Sequence, residues 1–175
     1  FADAVGNKNL SGEKATGDTK YRIASISKLV TAIGAWQLIE QGLIDPDADA
    51  SEYLGFELRN PNFPDTPITV RMIMSHTSSV RDGNYSIPAG QTIGDYMKLF
   101  KKDYWAPETE APGEYFTYSN MNYCLIGTII EQVSGERFDQ YMVRHVFEPM
   151  GLTCSYNVSD MSEEAQAQIG TLYRK

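Results

Sequence analysis

Residues 21–42 read YRIASISKLVTAIGAWQLIEQG, and from Ile26 to Ile39 nearly every position is apolar or small. This composition is typical of a helix buried on all sides rather than one with a face in water. Ser25 would start the helix. Gly42 would end it, because a residue without Cβ adopts the left-handed conformation at the least cost. The sequence therefore predicts a core helix of about four turns.

Ser25 and Lys28 lie three residues apart at the predicted helix start. Residues i and i+3 are neighbours on a helix surface, so the lysine amine is placed to take the proton of the serine hydroxyl. This transfer requires a partly neutral lysine, which apolar surroundings favour. The Ser25 N–H, in the first turn, points towards the place where an oxyanion would form. The segment thus offers a nucleophile, a base and one oxyanion donor.

The same spacing occurs at Ser11 and Lys14, inside the polar, glycine-containing stretch 6–20. Such a stretch is typical of a turn between strands and gives the lysine no reason to lose its charge. We therefore prefer Ser25, although a serine at a helix start is also a common N-cap. Since Ser-x-x-Lys alone arises by chance, a second motif is needed.

A second motif lies at residues 111–127, APGEYFTYSNMNYCLIG, where a Pro-Gly turn precedes Tyr118 and Asn120. Together with Ser25 and Lys28, it resembles the serine β-lactamase and penicillin-binding-protein family. The similar branch comprises class C β-lactamases, D-alanyl-D-alanine carboxypeptidases and related esterases. This branch carries Ser-x-x-Lys at a buried helix start and Tyr-x-Asn after a Pro-Gly turn.

The resemblance implies acyl transfer through a covalent serine ester. Ser25 would be the nucleophile, Lys28 and Tyr118 would share the proton, and Asn120 would bind the substrate amide and the lysine. The implied substrate is a β-lactam, a D-Ala-D-Ala peptide of peptidoglycan or a small ester, and no cofactor is expected. Two alternatives stay open: a penicillin-binding sensor that is acylated but turns over poorly, and an inactive fragment that needs another chain.

The resemblance covers essentially the whole chain, because residues 74–78, MSHTS, and 149–152, PMGL, also look like family segments. It implies the α+β β-lactamase/transpeptidase-like fold, in which a helical domain packs against an antiparallel sheet. We expect a sheet-edge strand and lead-in at 1–24, a mainly helical domain at 25–160 and the start of the return to the sheet at 161–175.

The family's third motif, Lys-Thr-Gly or His-x-Gly on a sheet strand, is missing from the sequence. We therefore expect a fragment, with the rest of the same protein or a second chain supplying the sheet. The core helix region should then expose the apolar face that the sheet would cover.

Two rival sites use other residues. His76 with Ser78 or Ser79 and Asp82 supplies the residue types of a catalytic triad, but residues so close in one loop rarely reach its geometry. The sequence also has no Gly-x-Ser-x-Gly elbow. Residues 155–157, SYN, imitate a Ser-x-Asn motif in a turn-rich setting, and we regard them as a weak rival.

Composition excludes several classes of partner. A net charge of −8 and a pI near 4.7 argue against nucleic acid and anionic membranes. The apolar runs are shorter than the roughly 20 residues that span a bilayer. No targeting signal is visible in the sequence, and an extracytoplasmic location in the cell envelope or periplasm is implied only by the resemblance.

The two cysteines, Cys124 and Cys154, are predicted to be buried free thiols rather than a disulfide. The two histidines lie far apart without paired cysteines nearby, so we predict no metal site.

Several further elements are expected. A strand is predicted at 1–6, an extended piece at 19–23, a surface segment at 45–67, a loop at 76–90, and helices at 70–75, from Thr92 onwards, at 119–133 and at 138–147.

Overall fold

Helices dominate the structure, a computed structural model that describes residues 3–83, 86–99 and 103–173. The helices are α1 (Ser27–Glu40), α2 (Ser51–Leu54), α3 (Val70–Met74), α4 (Ile93–Leu99), α5 (Asn120–Ser134), α6 (Phe138–Met142) and α7 (Glu163–Ala167). Short 3-10 turns lie at Ala24–Ile26 and Val158–Asp160, and a π-helical turn at Val143–Phe147 follows α6 directly. The predicted helix 138–147 is therefore present with a change of winding in its second half.

Helix α5 is the centre of the core and packs against α1, α2, α3 and α6. One side of it is completely buried, through Met121, Leu125, Ile126, Ile129 and Ile130. The extended Ser119 precedes the helix, and Gly135 with φ 70° ends it. A left-handed residue after a helix is typical of glycine, and the predicted helix 119–133 is confirmed.

We expect Leu125→Ala to destabilise the protein by about 2–5 kcal/mol, because the deletion leaves a cavity in the fully buried interior of α5. Chemical denaturation of the intact protein measures this loss. Leu10→Ala is the matched control, since Leu10 is 82% exposed and its truncation removes little packing. Equal stability of the two variants would contradict the central position of α5.

Helix α1 agrees with its prediction in extent but not in burial. Gly42 has φ 72° and ends the helix region, as expected. The expectation of burial on all sides is wrong, because an apolar stripe is exposed: Ile26 63%, Leu29 67%, Ile33 38% and Trp36 45%. Helices α5 and α6 cover only the opposite side, which carries Ala35 and Leu38. The exposed apolar face expected for the core helix region is therefore present.

The strand predicted at 1–6 is wrong for the described residues 3–6, which pair with no neighbouring strand there. Isolated bridges occur instead, Asn7 with Lys14 and Lys20 with Ile169. A strand needs a neighbour for its N–H and C=O groups, and a single bridge supplies too few. Phe1, Ala2 and residues 174–175 of the predicted end segments lie outside the described residues.

The predicted surface segment 45–67 is also partly wrong, because it contains α2 and the buried side chains of Ala50, Leu54 and Leu58. The sequence did not indicate that these side chains are buried, because the apolar residues are widely spaced among Asn and Pro. The predicted helices at 70–75 and from Thr92 onwards are present as α3 and α4, and both are capped: Thr69 accepts from Met72 N, and Thr92 accepts from Asp95 N. In the described ranges no helix is long and apolar enough to cross a membrane.

Candidate active site

Ser25 lies in the short 3-10 turn directly before α1, with an exposed side chain. The preceding Ala24 has φ 46°, which a residue with a Cβ adopts only at a cost. The turn differs from the predicted start of a regular α-helix at Ser25. It still leaves the Ser25 N–H in the first turn, where helical N–H groups have no partner within the helix.

Two proton donors converge on the Ser25 hydroxyl. The Tyr118 hydroxyl donates to Ser25 Oγ at 2.7 Å, and Lys28 Nζ donates to the same atom at 3.3 Å. Lys28 Nζ also lies 4.9 Å from the centre of the Tyr118 ring. Residues 93 positions apart in the chain therefore meet at one oxygen atom.

Asn120, the first residue of α5, holds Lys28 from the other side. Its Oδ1 accepts from Lys28 Nζ at 2.8 Å, and its Nδ2 donates to Asp82 Oδ2 at 2.8 Å. Asp82 Oδ1 also accepts from the backbone N–H groups of Asn120 and, at 3.2 Å, Met121. All four residues that the sequence singled out thus form one hydrogen-bonded cluster.

The Tyr118 ring rests on His76, with ring centres 4.6 Å apart. His76 has φ 61°, a left-handed conformation that turns the loop under the tyrosine. Its Nδ1 accepts from Ser119 N at 3.2 Å, which ties the ring to the start of α5. Thr117 N donates to the His76 carbonyl at 2.9 Å, so the two loops are joined on both sides of the tyrosine.

Neighbouring groups in the cluster lower the pKa values of Tyr118 and His76. Lys28 and then Ser25, both beside the phenol, hold the pKa of Tyr118 below its usual value, against a weaker opposing effect of Asp82. Burial and then the Lys28 charge lower the pKa of His76, which keeps its ring neutral and its Nδ1 able to accept. The cluster therefore makes the Tyr118 phenol easier to deprotonate and keeps a neutral histidine behind it.

A groove of about 450 Å³ runs from this cluster between α1 and α5. Lys28 and Asn120 line it near the serine, and Thr31, Gly127 and Tyr156 line it further along. Tyr156 is fixed there by donating to the Ser27 carbonyl at 2.7 Å. The groove thus begins at Lys28 and Asn120, while Ser25 and Tyr118 lie outside its lining.

The sequence model of the Beta-lactamase family matches residues 1–173. The chain belongs to the Beta-lactamase family. Its fold is β-lactamase/transpeptidase-like, with the helical part well represented and little sheet, as the resemblance implied.

Relatives of this Beta-lactamase family member include penicillin-binding proteins and hydrolases. Protein flp of Staphylococcus aureus (strain N315) is 29% identical over 141 residues, 80% of this chain and 28% of flp. The penicillin binding protein from Bacillus halodurans has a TM-score of 0.73 and 29% identity, covering 95% of this chain and 50% of its own. EstCE1, a hydrolase with promiscuous acyltransferase activity, has a TM-score of 0.75 and 26% identity, covering 99% of this chain and 48% of its own. The chain thus spans half or less of the length of each.

The rival serines have other partners. Ser11 Oγ donates to Asn9 Oδ1 at 2.7 Å in an exposed turn, and Ser155 Oγ donates to the Asn157 carbonyl at 2.9 Å. Ser78 is buried and donates to Asn122 Oδ1 at 2.7 Å. The structure therefore gives each of these hydroxyls a local or core contact away from Lys28.

His76 and Asp82 do not form the rejected triad but lie behind the cluster, against Tyr118 and Asn120 respectively. Sequence reasoning missed these supporting contacts, because it treated the two residues only as possible partners of a nearby serine. Their place in the loop 76–82 carries no pattern that indicates a contact with a helix start about 40 residues later in the chain.

Both cysteines are free, as predicted, but Cys154 is exposed rather than buried. Cys124 is half-buried beside the groove, and burial raises the pKa of its thiol. A raised pKa disfavours the thiolate, so Cys124 is a poor nucleophile.

Proposed function

We propose that this chain carries the nucleophilic centre of a serine hydrolase that works through a covalent acyl-enzyme. The observation that carries the proposal is the convergence of Tyr118 and Lys28 on Ser25 Oγ, at 2.7 and 3.3 Å. A serine hydroxyl is a weak nucleophile until a neighbouring group accepts its proton, and among the described residues these two groups lie within reach.

In the proposed reaction, Ser25 Oγ forms a bond to the substrate carbonyl carbon while Tyr118 takes the hydroxyl proton. Tyr118 then returns this proton to the leaving group as its bond to the carbonyl carbon breaks. Water later attacks the ester carbonyl carbon while Tyr118 takes its proton; the bond to Ser25 Oγ then breaks, Tyr118 returns the proton to Oγ, and the acid leaves. The Ser25 N–H supplies one donor to the oxyanion in each tetrahedral intermediate.

The geometry favours Tyr118 over Lys28 as the base. Lys28 Nζ faces two acceptors, Asn120 Oδ1 and Ser25 Oγ, and an ammonium group has only donors to offer. A lysine that keeps its charge stabilises the phenolate of Tyr118, in agreement with the direction of the tyrosine pKa.

The proposed substrates are a β-lactam, a D-Ala-D-Ala peptide of peptidoglycan or a small ester. Support comes from relatives that are a penicillin-binding protein and a hydrolase with acyltransferase activity. A peptidoglycan substrate would place the protein outside the cytoplasm. The rest of the same protein or a second chain would cover the exposed stripe of α1 and complete the oxyanion site.

We expect a fluorescent penicillin or a fluorophosphonate to label the intact protein on Ser25. Protease digestion and mass spectrometry of the labelled peptide identify the site. Ser11 serves as an internal control, because it shares the Ser-x-x-Lys spacing but not the surrounding cluster. A label on Ser11, Ser78 or Ser155 would refute the assignment.

A panel of nitrocefin, p-nitrophenyl acetate and a D-Ala-D-Ala peptide then separates the substrate classes. Steady turnover of one of the three identifies the class. Stable acylation without turnover would favour the sensor, whose acyl-enzyme forms but is not hydrolysed.

A further inference from the structure

Asp82 makes contacts that the reaction proposed above does not use. Its carboxylate accepts three hydrogen bonds, from the backbone N–H groups of Asn120 and Met121 and from Asn120 Nδ2. Two of these donors are the first N–H groups of α5, which lack partners within the helix. One side chain from the loop 76–83 therefore fixes both the backbone and the side chain of Asn120.

The contact decides which way the Asn120 amide faces. A carboxylate offers only acceptors, so the amide must turn its NH₂ group towards Asp82. Its oxygen then faces Lys28 Nζ, at 2.8 Å. An ammonium group needs an acceptor there, and an inverted amide would set donor against donor.

Asp82 remains charged in this setting. Burial raises the pKa of its carboxyl, but hydrogen bonds from Asn120 and Met121 outweigh that effect and keep the pKa below its usual range. At neutral pH a negatively charged carboxylate therefore lies at the N-terminus of α5, where the helix dipole is positive.

We propose that Asp82 is a positioning residue for acyl transfer, which acts through Asn120 to hold Lys28 at the Ser25 hydroxyl. The chain of contacts runs from Asp82 to Asn120 Nδ2, from Asn120 Oδ1 to Lys28 Nζ, and from Lys28 Nζ to Ser25 Oγ. Asp82 touches neither the serine nor the tyrosine hydroxyl in this chain. The inference rests on the proposed acyl-enzyme function and goes further by assigning a residue outside the two motifs.

The test is a double-mutant cycle on the rate of Ser25 acylation in the intact protein. Asp82→Asn is nearly isosteric, but its own NH₂ group lets the Asn120 amide invert. We expect acylation to slow by roughly 10- to 100-fold, since a small misplacement of a reacting group has an effect of this size. In an Asn120→Ala background, the same replacement should change the rate by less than about twofold, because the intermediate group is gone.

Thermal stability, measured beside the acylation rate, separates a purely structural role of Asp82 from positioning. The backbone N–H groups of residues 120 and 121 keep their contact with Asp82 in the Asn120→Ala background, so the loss of thermal stability caused by Asp82→Asn should persist there. Asp49→Asn is the matched control, because Asp49 accepts from Ser51 N at 3.0 Å and pairs with Arg59 away from the site. It should lower stability and leave acylation unchanged.

An equal slowing by Asp82→Asn in both backgrounds, or no slowing in the parent, would overturn the proposal. If Asp82→Asn does not fold, Asp82→Glu keeps the charge and displaces the carboxylate by one methylene group. Slowed acylation in this variant supports positioning, and a parental rate overturns it. Failure of the proposed function itself is distinguishable, since the parent would then not be labelled on Ser25 at all.

Discussion

Ser25→Ala is expected to abolish covalent labelling by a fluorescent penicillin or fluorophosphonate. The variant keeps the turn at Ala24–Ile26 but removes the oxygen on which Tyr118 and Lys28 converge. Turnover of any substrate found in the panel should fall on the order of 10⁶-fold, the size of loss seen when a serine hydrolase loses its nucleophile. Gel fluorescence and initial rates measure the two losses.

Ser11→Ala is the matched control for this replacement. Ser11 begins the other Ser-x-x-Lys sequence, is exposed, and donates to Asn9. Its loss should leave labelling and turnover at the parental level. Full labelling of the Ser25→Ala variant would show that another residue is the nucleophile, and the assigned mechanism would be wrong.

The contact between Ser25 and Lys28 was predictable because it is local. Residues i and i+3 are neighbours in a helical turn, and the apolar stretch 26–39 indicated a helix there, unlike the polar stretch around Ser11. Tyr118 and Asn120 were predictable only through the resemblance, since no local rule joins residues 25 and 118. The contact of Asp82 with Asn120 depends on the path of the loop 76–83, including the left-handed His76 and Ser79, which the sequence does not reveal.

In the fold as well, features set by the local sequence were predicted, and features set by tertiary packing were not. The ends of α1 and α5 follow from Gly42 and Gly135, whose conformations the helix ends require. Burial of α1 was predicted incorrectly, because an apolar helix looks the same in sequence whether one or both sides are covered. Helix α2 was missed since four residues are too few for a periodic pattern.

The exposed stripe of α1 and the site share one helix. Ile26 follows Ser25 directly, and Leu29 follows Lys28 directly, and both side chains are exposed. We infer that a segment covering this stripe would pack beside the turn that presents Ser25. Kinetic variants are therefore best compared in the full-length protein.

Lys28→Ala is expected to slow Ser25 acylation by roughly 10²- to 10⁴-fold at neutral pH, the usual size of a lost acid or base function. Two effects contribute. The hydroxyl loses its contact with Nζ at 3.3 Å, and Tyr118 loses the hydrogen bond with Lys28 that contributes most to lowering its pKa. Acylation rates at saturating probe concentration measure the combined loss, and Lys14→Ala is the control.

The pH dependence separates these effects. If Tyr118 is the base, the rate rises with pH as the phenol loses its proton, and in the parent this rise lies below the usual tyrosine pKa of about 10. Without Lys28 the phenolate is less stable, so the rise should move to higher pH and the rate difference should shrink under alkaline conditions. A variant as fast as the parent would exclude Lys28 from the reaction. A slow variant whose pH profile is not displaced would instead show that the lysine acts on the serine and not through the tyrosine.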